Sequence, residues 1–173
     1  MKLFRQGIIS ALLTLCVFGI IAYTACKKDP CKNVACNHGG TCSSGNCYCA
    51  SGYEGTNCEN AVNAKFIGNW LVTAACQASY VAAITADPIS PSQIYISNFA
   101  STGTATSILA SIQSSNIVTI ANQRVKGITN TSVSGGGSLS GGVFSLSYKV
   151  VVTDTVTSTN TTYTCDTTRW VMQ

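Results

Sequence analysis

Charged side chains are scarce in this 173-residue chain: only 9% of its residues are Asp, Glu, Lys or Arg, and its formal net charge is +4. Two of the ten basic residues lie within the first five positions, so the remainder is nearly neutral. Nucleic-acid binding depends on a concentrated basic surface, which this composition does not supply. The same scarcity excludes a disordered tail that is rich in one sign of charge.

Acid–base side chains are also missing from much of the chain. Residues 66–173 contain no histidine and no glutamate, and their acidic side chains are Asp87, Asp154 and Asp166. General acid–base catalysis relies most often on a histidine or glutamate with a tuned pKa. This segment has 33 Ser and Thr residues, but none stands out as a nucleophile beside a base. We therefore expect a protein that is not an enzyme and uses no cofactor.

Cysteine, by contrast, is abundant, with ten residues in a short chain. So many cysteines indicate an oxidising compartment. The N-terminal sequence agrees, because Lys2 and Arg5 precede an uncharged apolar run at 8–22, and the small residue Ala25 stands just before Cys26. A positive start, an apolar run and then small residues are the layout of a secretory signal.

The Ala25-Cys26 step resembles a bacterial lipoprotein signal, in which a small residue precedes a cysteine that is lipidated and becomes N-terminal after cleavage. The resemblance implies a signal peptide at 1–25, a lipidated tether at 26–30, and a location at the outer membrane or cell surface of the cell envelope. The alternative is an uncleaved N-terminal signal anchor, since 8–25 is just long enough to span a bilayer. Cysteine parity favours lipidation of Cys26, because eight cysteines then remain outside the apolar run for four disulfides.

Six of these eight cysteines fall within 28 residues that contain almost nothing apolar. Such a segment cannot build a core, so disulfides must hold it, although the spacing alone leaves many pairings open. The Cys47-Tyr48-Cys49 step and the closing Gly52-Tyr53-Glu54-Gly55 loop resemble an EGF-like module at 31–59. That resemblance implies the pairs Cys31–Cys42, Cys36–Cys47 and Cys49–Cys58. A zinc site is the alternative, which the export signal and the even count disfavour.

We expect no calcium and no other metal in this module. Calcium-binding EGF-like modules carry acidic or amide residues just before the first cysteine. Here that stretch is Lys27-Lys28-Asp29-Pro30, and one carboxylate beside two lysines is a poor site for a cation that takes several oxygen ligands. His38, the single histidine of the chain, has no second ligand nearby and is expected at the surface.

After a short joint at 60–65, residues 66–173 are predicted to form an all-β domain. Apolar residues alternate with polar ones most clearly over 144–152, and turn residues separate about eight such runs. Regular short strands of this kind indicate an antiparallel barrel, with a β-sandwich as the alternative. The stretch 78–86 is predicted to be a loop or a helical turn, and the glycine-rich stretch 134–138 a flexible hairpin connection.

Cys76 and Cys165 remain for a fourth disulfide, which would tie the first strand of this domain to the last. Closing so long a loop contributes roughly 4–5 kcal/mol in the chain-entropy model. If the two cysteines lie opposite each other in a ladder, Val72 lies opposite Arg169, and Trp70 lies diagonal to Arg169. The guanidinium could then stack on the indole, an interaction of about 0.5–2 kcal/mol.

The opening Phe66-Ile67-Gly68-Asn69-Trp70 resembles the Gly-x-Trp start of lipocalin-like barrels. In that family the tryptophan closes the barrel floor and packs on an arginine from beyond the last strand. The resemblance implies a lipocalin-like barrel with Trp70 and Arg169 as the barrel-closing pair. It also implies a small apolar or amphipathic molecule held inside.

Two binding functions follow from these modules. The first is a non-catalytic envelope lipoprotein that binds a small apolar ligand in its barrel, with the EGF-like module as a spacer. Ala74, Ala110 and Ala121 would leave room for that ligand if they point inward. An interior filled by aromatic and aliphatic side chains would speak against it.

The second function is a surface adhesion or interaction module that binds a protein or a glycan. It predicts an exposed patch of Tyr or Trp, with Tyr95, Tyr148 and Trp170 as candidates. The sequence does not identify individual ligand-binding residues for either function.

Overall fold

A computed structural model of the protein describes residues 28–173, so the predicted signal peptide and the predicted lipidation site Cys26 lie outside the described residues. Over 28–173, no helix combines the length and the apolar character needed to cross a bilayer. Two short 3-10 turns lie at Ala64–Phe66 and Phe99–Ser101. The strands are β1 Thr41–Ser43, β2 Asn46–Tyr48, β3 Tyr53–Glu54, β4 Asn60–Ala61, β5 Gly68–Ala74, β6 Gln77–Ala86, β7 Gln93–Ser97, β8 Ser107–Ser114, β9 Ile117–Arg124, β10 Thr131–Ser140, β11 Val143–Thr153 and β12 Asn160–Met172.

Strands β5 to β12 form a closed antiparallel barrel in which every strand pairs with its neighbours in sequence, and β12 pairs with β5. This confirms the predicted all-β barrel of eight strands and excludes the sandwich. Because successive strands alternate in direction, the connections alternate between two ends. We define the near end by the turns at 87–92, 115–116 and 141–142, and the distal end by those at 75–76, 98–106, 125–130 and 154–159.

The period-two pattern places one face of each strand inside the barrel. In β11, Phe144, Leu146 and Tyr148 are buried, while the residues between them are exposed.

Two predictions about local structure are wrong. The stretch 78–86 lies in β6, where Tyr80, Ala82 and Ile84 are buried, because its small alanines carry the alternation less visibly than large side chains would.

The second wrong prediction concerns the glycine-rich stretch 134–138, which lies inside β10 rather than in a turn. A Cβ atom at Gly135 would lie 2.5 Å from the Ser147 carbonyl oxygen and 2.8 Å from the Tyr148 Cβ. A Cβ at Gly137 would collide with the Ser145 carbonyl. The glycines therefore permit close approach of β10 to β11 and do not mark a flexible connection.

The EGF-like module consists of two small antiparallel ladders, β1 with β2 and β3 with β4. Its disulfides are Cys31–Cys42, Cys36–Cys47 and Cys49–Cys58, which are the pairs that the EGF resemblance implied. His38 is exposed, and its ring stacks on Tyr53 at a centroid distance of 4.0 Å. The Asp29 carboxylate accepts a hydrogen bond from the Cys31 amide and so caps the first turn of the module.

The joint at 60–65 is structured and brings the module against the near end of the barrel. The amide of Asn63 donates to the Pro91 carbonyl at 3.1 Å, and its buried side chain donates to the Gln93 carbonyl at 3.1 Å. A Cβ at Gly52 would lie 2.6 Å from the Pro91 ring, so the module and the loop 87–92 are in close contact.

An ion pair reinforces this joint, since Lys65 Nζ lies 2.7 Å from Glu54 Oε1. Partial burial raises the pKa of Glu54, but hydrogen bonds from Lys65 and from Ser115 of the near end outweigh it, so the pKa lies below its ordinary value. The module is therefore fixed to the near end by several independent contacts.

A candidate recognition surface at the distal end of the barrel

The predicted barrel-closing pair of Trp70 and Arg169 is wrong. Trp70 is buried, with 1% of its surface exposed, whereas Arg169 lies on the outer surface opposite Thr73. The observed register pairs Val72 with Trp170, one residue away from the predicted pairing of Val72 with Arg169. The indole of Trp70 donates instead to the Phe66 carbonyl at 2.8 Å.

A β-bulge explains the error. β12 has one extra residue between Cys165 and Thr168 relative to the facing part of β11, and Thr167 there adopts a left-handed conformation with φ 53°. The bulge reverses the alternation of the strand, so that Cys165, Thr168 and Trp170 all point inward. Counting every second residue from Cys165, as in a strand without a bulge, predicts that Arg169 shares the inward face with Cys165. Because of the bulge, Arg169 lies on the outer face instead.

Aromatic side chains fill the barrel interior and close both of its ends. Phe66 packs edge-on against Phe144 near the module, with the ring centroids 5.6 Å apart. Phe99, from the distal loop 98–106, packs on Tyr148 at 4.7 Å. The other large side chains with under 2% exposure include Trp70, Trp170, Ile84, Ile94, Ile96, Ile108, Ile120 and Leu146.

The three alanines that were expected to leave room inside behave differently from one another. Ala110 is buried in the core, Ala74 is partly buried against it, and Ala121 is exposed. The interior is therefore largely occupied by the protein's own side chains. An eight-stranded barrel is just wide enough for side chains to fill it in this way.

The fourth disulfide, Cys76–Cys165, forms as predicted and lies at the distal end, although Cys76 belongs to the β5–β6 turn and not to the first strand of the barrel. Beside it opens a cleft with a volume of about 170 Å³. The cleft is mainly apolar, and its lining residues are Cys76, Gln77, Ala100, Tyr148, Val150, Tyr163, Thr164 and Cys165.

Two residues that line this cleft donate hydrogen bonds to tyrosine hydroxyls. Gln77 Nε2 donates to the Tyr148 hydroxyl at 2.7 Å, and the Ala100 amide donates to the Tyr80 hydroxyl at 3.1 Å. Burial, followed by the nearby Tyr148, raises the pKa of Tyr80 far above its ordinary value, and burial also raises the pKa of Tyr148. Both hydroxyls therefore stay protonated at neutral pH and can donate hydrogen bonds.

The β11–β12 hairpin extends beyond the rim as an arm. β12 pairs with β11 out to Asn160, but β5 covers β12 only at Arg169–Met172. All residues of 160–164 are exposed, and 59% of the Tyr163 surface is accessible. Tyr163 stands opposite Val150 on the side of the arm that faces the cleft.

A second cleft, of about 350 Å³, opens on the other side of the arm. Its only charged lining residue is Arg124, whose guanidinium donates to the Thr129 carbonyl at 3.1 Å. The remaining lining residues carry a hydroxyl or an amide and are Thr129, Asn130, Thr131, Ser132, Thr153 and Thr155. This cleft suits a polar ligand rather than an apolar one.

Two exposed aspartates, Asp154 and Asp166, lie toward this end of the barrel. Asp154 Oδ1 accepts from the amides of Val156 and Thr157, at 2.7 and 2.9 Å. The bond from Thr157, followed by the bond from Val156, lowers the pKa of Asp154. Asp154 therefore caps the exposed turn, and Asp166 lies exposed beside the bulge.

The exposed aromatic residue at this end is not among those that the sequence suggested. Tyr148 and Trp170 are buried, and Tyr95 is only half-exposed. Tyr163 was not predicted to be exposed, because it is two positions from the buried Cys165 and so appears in the sequence to belong to the same inward face. The signal that could have found it is length: β12 has 13 residues and β5 has seven, so part of β12 must extend past its partner.

The described chain is thus an EGF-like, disulfide-linked module joined to a closed eight-stranded antiparallel barrel, with two clefts and an exposed arm at the distal end. The teneurin-like EGF domain family matches residues 33–61, which confirms the EGF-like module. No curated protein and no solved structure matches the chain significantly. The family match covers the module alone, so the barrel is known from its own geometry.

Proposed function

We propose that the chain is a non-catalytic, lipid-anchored protein of the cell envelope that acts as an interaction module through the distal end of its barrel. The observation that carries the proposal is the opposite placement of two features. The EGF-like module is fixed to the near end through Asn63 and Glu54, whereas both clefts open at the distal end. An anchor at Cys26 would stand only five positions before Cys31, and the distal end would point away from it.

The filled interior favours surface recognition over carriage of a ligand inside the barrel. Phe66 and Phe99 occupy the two ends of the interior, and each is fully buried. A partner therefore meets side chains of the rim, the arm and the two clefts. Tyr163 offers an exposed aromatic contact, and Arg124 offers a cation among hydroxyls, which are groups that suit a protein or a glycan.

The test of the interaction uses the full chain, exported by a Gram-negative host through its own leader and then purified. Purified wild type is applied to arrays of glycans and of extracellular and envelope proteins, together with Tyr163→Asp and Arg124→Glu. Tyr48→Asp is the matched control, because Tyr48 is an equally accessible tyrosine, 64% exposed, in the module. We expect the arrays to identify a ligand that wild type and Tyr48→Asp both bind and that at least one of the two distal variants no longer binds. A ligand that all four proteins bind equally well would refute the proposal.

Anchorage is tested separately by metabolic labelling with a palmitate analogue. Wild type is expected to take up the label and to fractionate with membranes, whereas Cys26→Ser takes up none. Equal membrane association of Cys26→Ser without label would instead support the signal anchor.

The apolar cleft beside Cys76–Cys165 supports a second candidate function, binding of a small apolar ligand at the barrel mouth. The cleft holds about 170 Å³ and offers the hydroxyl of Tyr148 as a polar contact. Native mass spectrometry of the exported protein tests it. Extra mass that disappears on denaturation, and that Tyr163→Asp lacks, would favour this candidate over the interaction module.

A further inference from the structure

The arm of the β11–β12 hairpin leaves a free sheet edge. Residues 160–164 pair with β11 on one side, and no other strand of the described range lies on their second side. Their side chains are all exposed, and no backbone hydrogen bond from 161–164 to a partner outside β11 is present in 28–173. An edge strand directs alternate N–H and C=O groups outward, where they can pair with another chain.

The sequence of this edge does nothing to prevent such pairing. Exposed edges are usually protected by a charge, a proline or a bulge. The edge Asn160-Thr161-Thr162-Tyr163-Thr164 contains no charge and no proline, and the bulge at Thr167 lies beyond it. Threonine and tyrosine also favour extended backbone.

The edge and the apolar cleft form one continuous surface. Tyr163 and Thr164 belong to both, and Val150 and Ala100 complete the apolar wall. Side chains of an added strand alternate between its two faces, so every second one points toward the arm's cleft side. A cleft of about 170 Å³ has room for one apolar side chain of that strand.

We propose, building on the interaction function above, that the partner is an extended peptide segment. It adds a strand along 161–164 and places one apolar side chain in the cleft beside Cys76–Cys165. In this mode of recognition, backbone hydrogen bonds supply affinity and the pocket supplies specificity. A stable dimer buries on the order of 1,200 Å² or more, which this short edge does not provide, so a second copy of this chain is the less favourable occupant.

The probe is a phage-displayed library of linear peptides, selected on the full chain with its disulfides formed. An enriched peptide is synthesised and measured by calorimetry, with and without N-methylation at alternate residues. We expect enrichment of one apolar position and a loss of affinity of about tenfold or more on N-methylation. Tyr163→Asp is expected to weaken binding to a similar extent, whereas Tyr48→Asp leaves it unchanged.

The experiment distinguishes failure of this inference from failure of the proposed function. Peptides that bind equally well after N-methylation, or equally well to Tyr163→Asp, would overturn the inference. A library without enrichment, combined with array binding that Tyr163→Asp or Arg124→Glu abolishes, would overturn the inference and leave the proposed function intact. A concentration-dependent dimer of wild type that Tyr163→Asp dissolves would replace the peptide with a second copy of the chain.

Discussion

The indole Nε1 of Trp170 donates to the hydroxyl of Thr168 at 2.7 Å, and both side chains are fully buried. The same hydroxyl donates to the Leu146 carbonyl at 2.7 Å, so one polar atom satisfies two neighbours just beyond the bulge of β12. A buried donor that loses its partner costs about 1–3 kcal/mol. This short chain of hydrogen bonds therefore fixes the inward orientation of Trp170.

Replacing Thr168 with valine is expected to lower the free energy of unfolding by about 1–3 kcal/mol, because the shape is kept and the indole N–H is left unpaired. Thr168→Ser keeps the hydroxyl and serves as the matched variant. Urea unfolding followed by tryptophan fluorescence measures both. Equal stability of Thr168→Val and wild type would show that the bond contributes nothing.

Replacing Arg169 with alanine is expected to change stability by no more than about 0.5 kcal/mol, since the side chain is exposed on the outer face. Trp70→Ala removes a buried indole and is expected to cost about 3–5 kcal/mol. The two variants are compared by the same urea titration. A large loss of stability in Arg169→Ala would instead indicate that Arg169 stacks on Trp70, which the observed register excludes.

Replacing Gly135 with alanine is expected to destabilise the barrel by about 1–3 kcal/mol, because the added methyl group would overlap the Ser147 carbonyl and the Tyr148 side chain. At Gly136, on the alternate face of β10, the nearest atom to an added Cβ is the Val118 carbonyl oxygen at 3.2 Å. Gly136→Ala should therefore cost less. Thermal unfolding of both variants checks the order, and the reverse order would contradict close β10–β11 packing.

Alkaline pH is expected to destabilise the barrel through Tyr80 and Tyr148. Their folded-state pKa values are raised, so their stabilising contribution is complete below the ordinary pKa of 10.0 and is lost as the pH rises above it. The free energy of unfolding should therefore begin to fall as the pH rises through about 10 and continue to fall above it. It should fall less steeply in Tyr80→Phe, with Tyr48→Phe as the control for loss of one hydroxyl. Equal slopes in all three proteins would contradict the prediction.

Much of the architecture could be predicted because the sequence expresses it locally. The cysteine spacing and the Gly52 loop identify the module, and the alternation of residues such as Phe144 and Leu146 predicts the strands. The register of β12 on β5 could not be predicted. It depends on the single extra residue at Thr167, and nothing in a Thr-rich strand distinguishes a bulge from a regular position.

The candidate recognition surface was harder to predict for a related reason. It is defined by where β5 stops covering β12 and by the exposure of Tyr163, both of which are properties of paired strands rather than of one segment. Gln77 contributes to the cleft from the start of β6, a strand whose small residues did not predict it. The disulfide Cys76–Cys165 was predictable because it was the pair that remained.

The lengths of the disulfide loops imply an order of folding. The three bridges of the module join cysteines 9 to 11 positions apart, whereas Cys76 and Cys165 are 89 positions apart. Local loops close quickly, and contacts between distant segments form slowly. The barrel cannot close until its final strand reaches its first one. We therefore expect the module to form before the barrel closes, and the seam of β5 and β12 to form last.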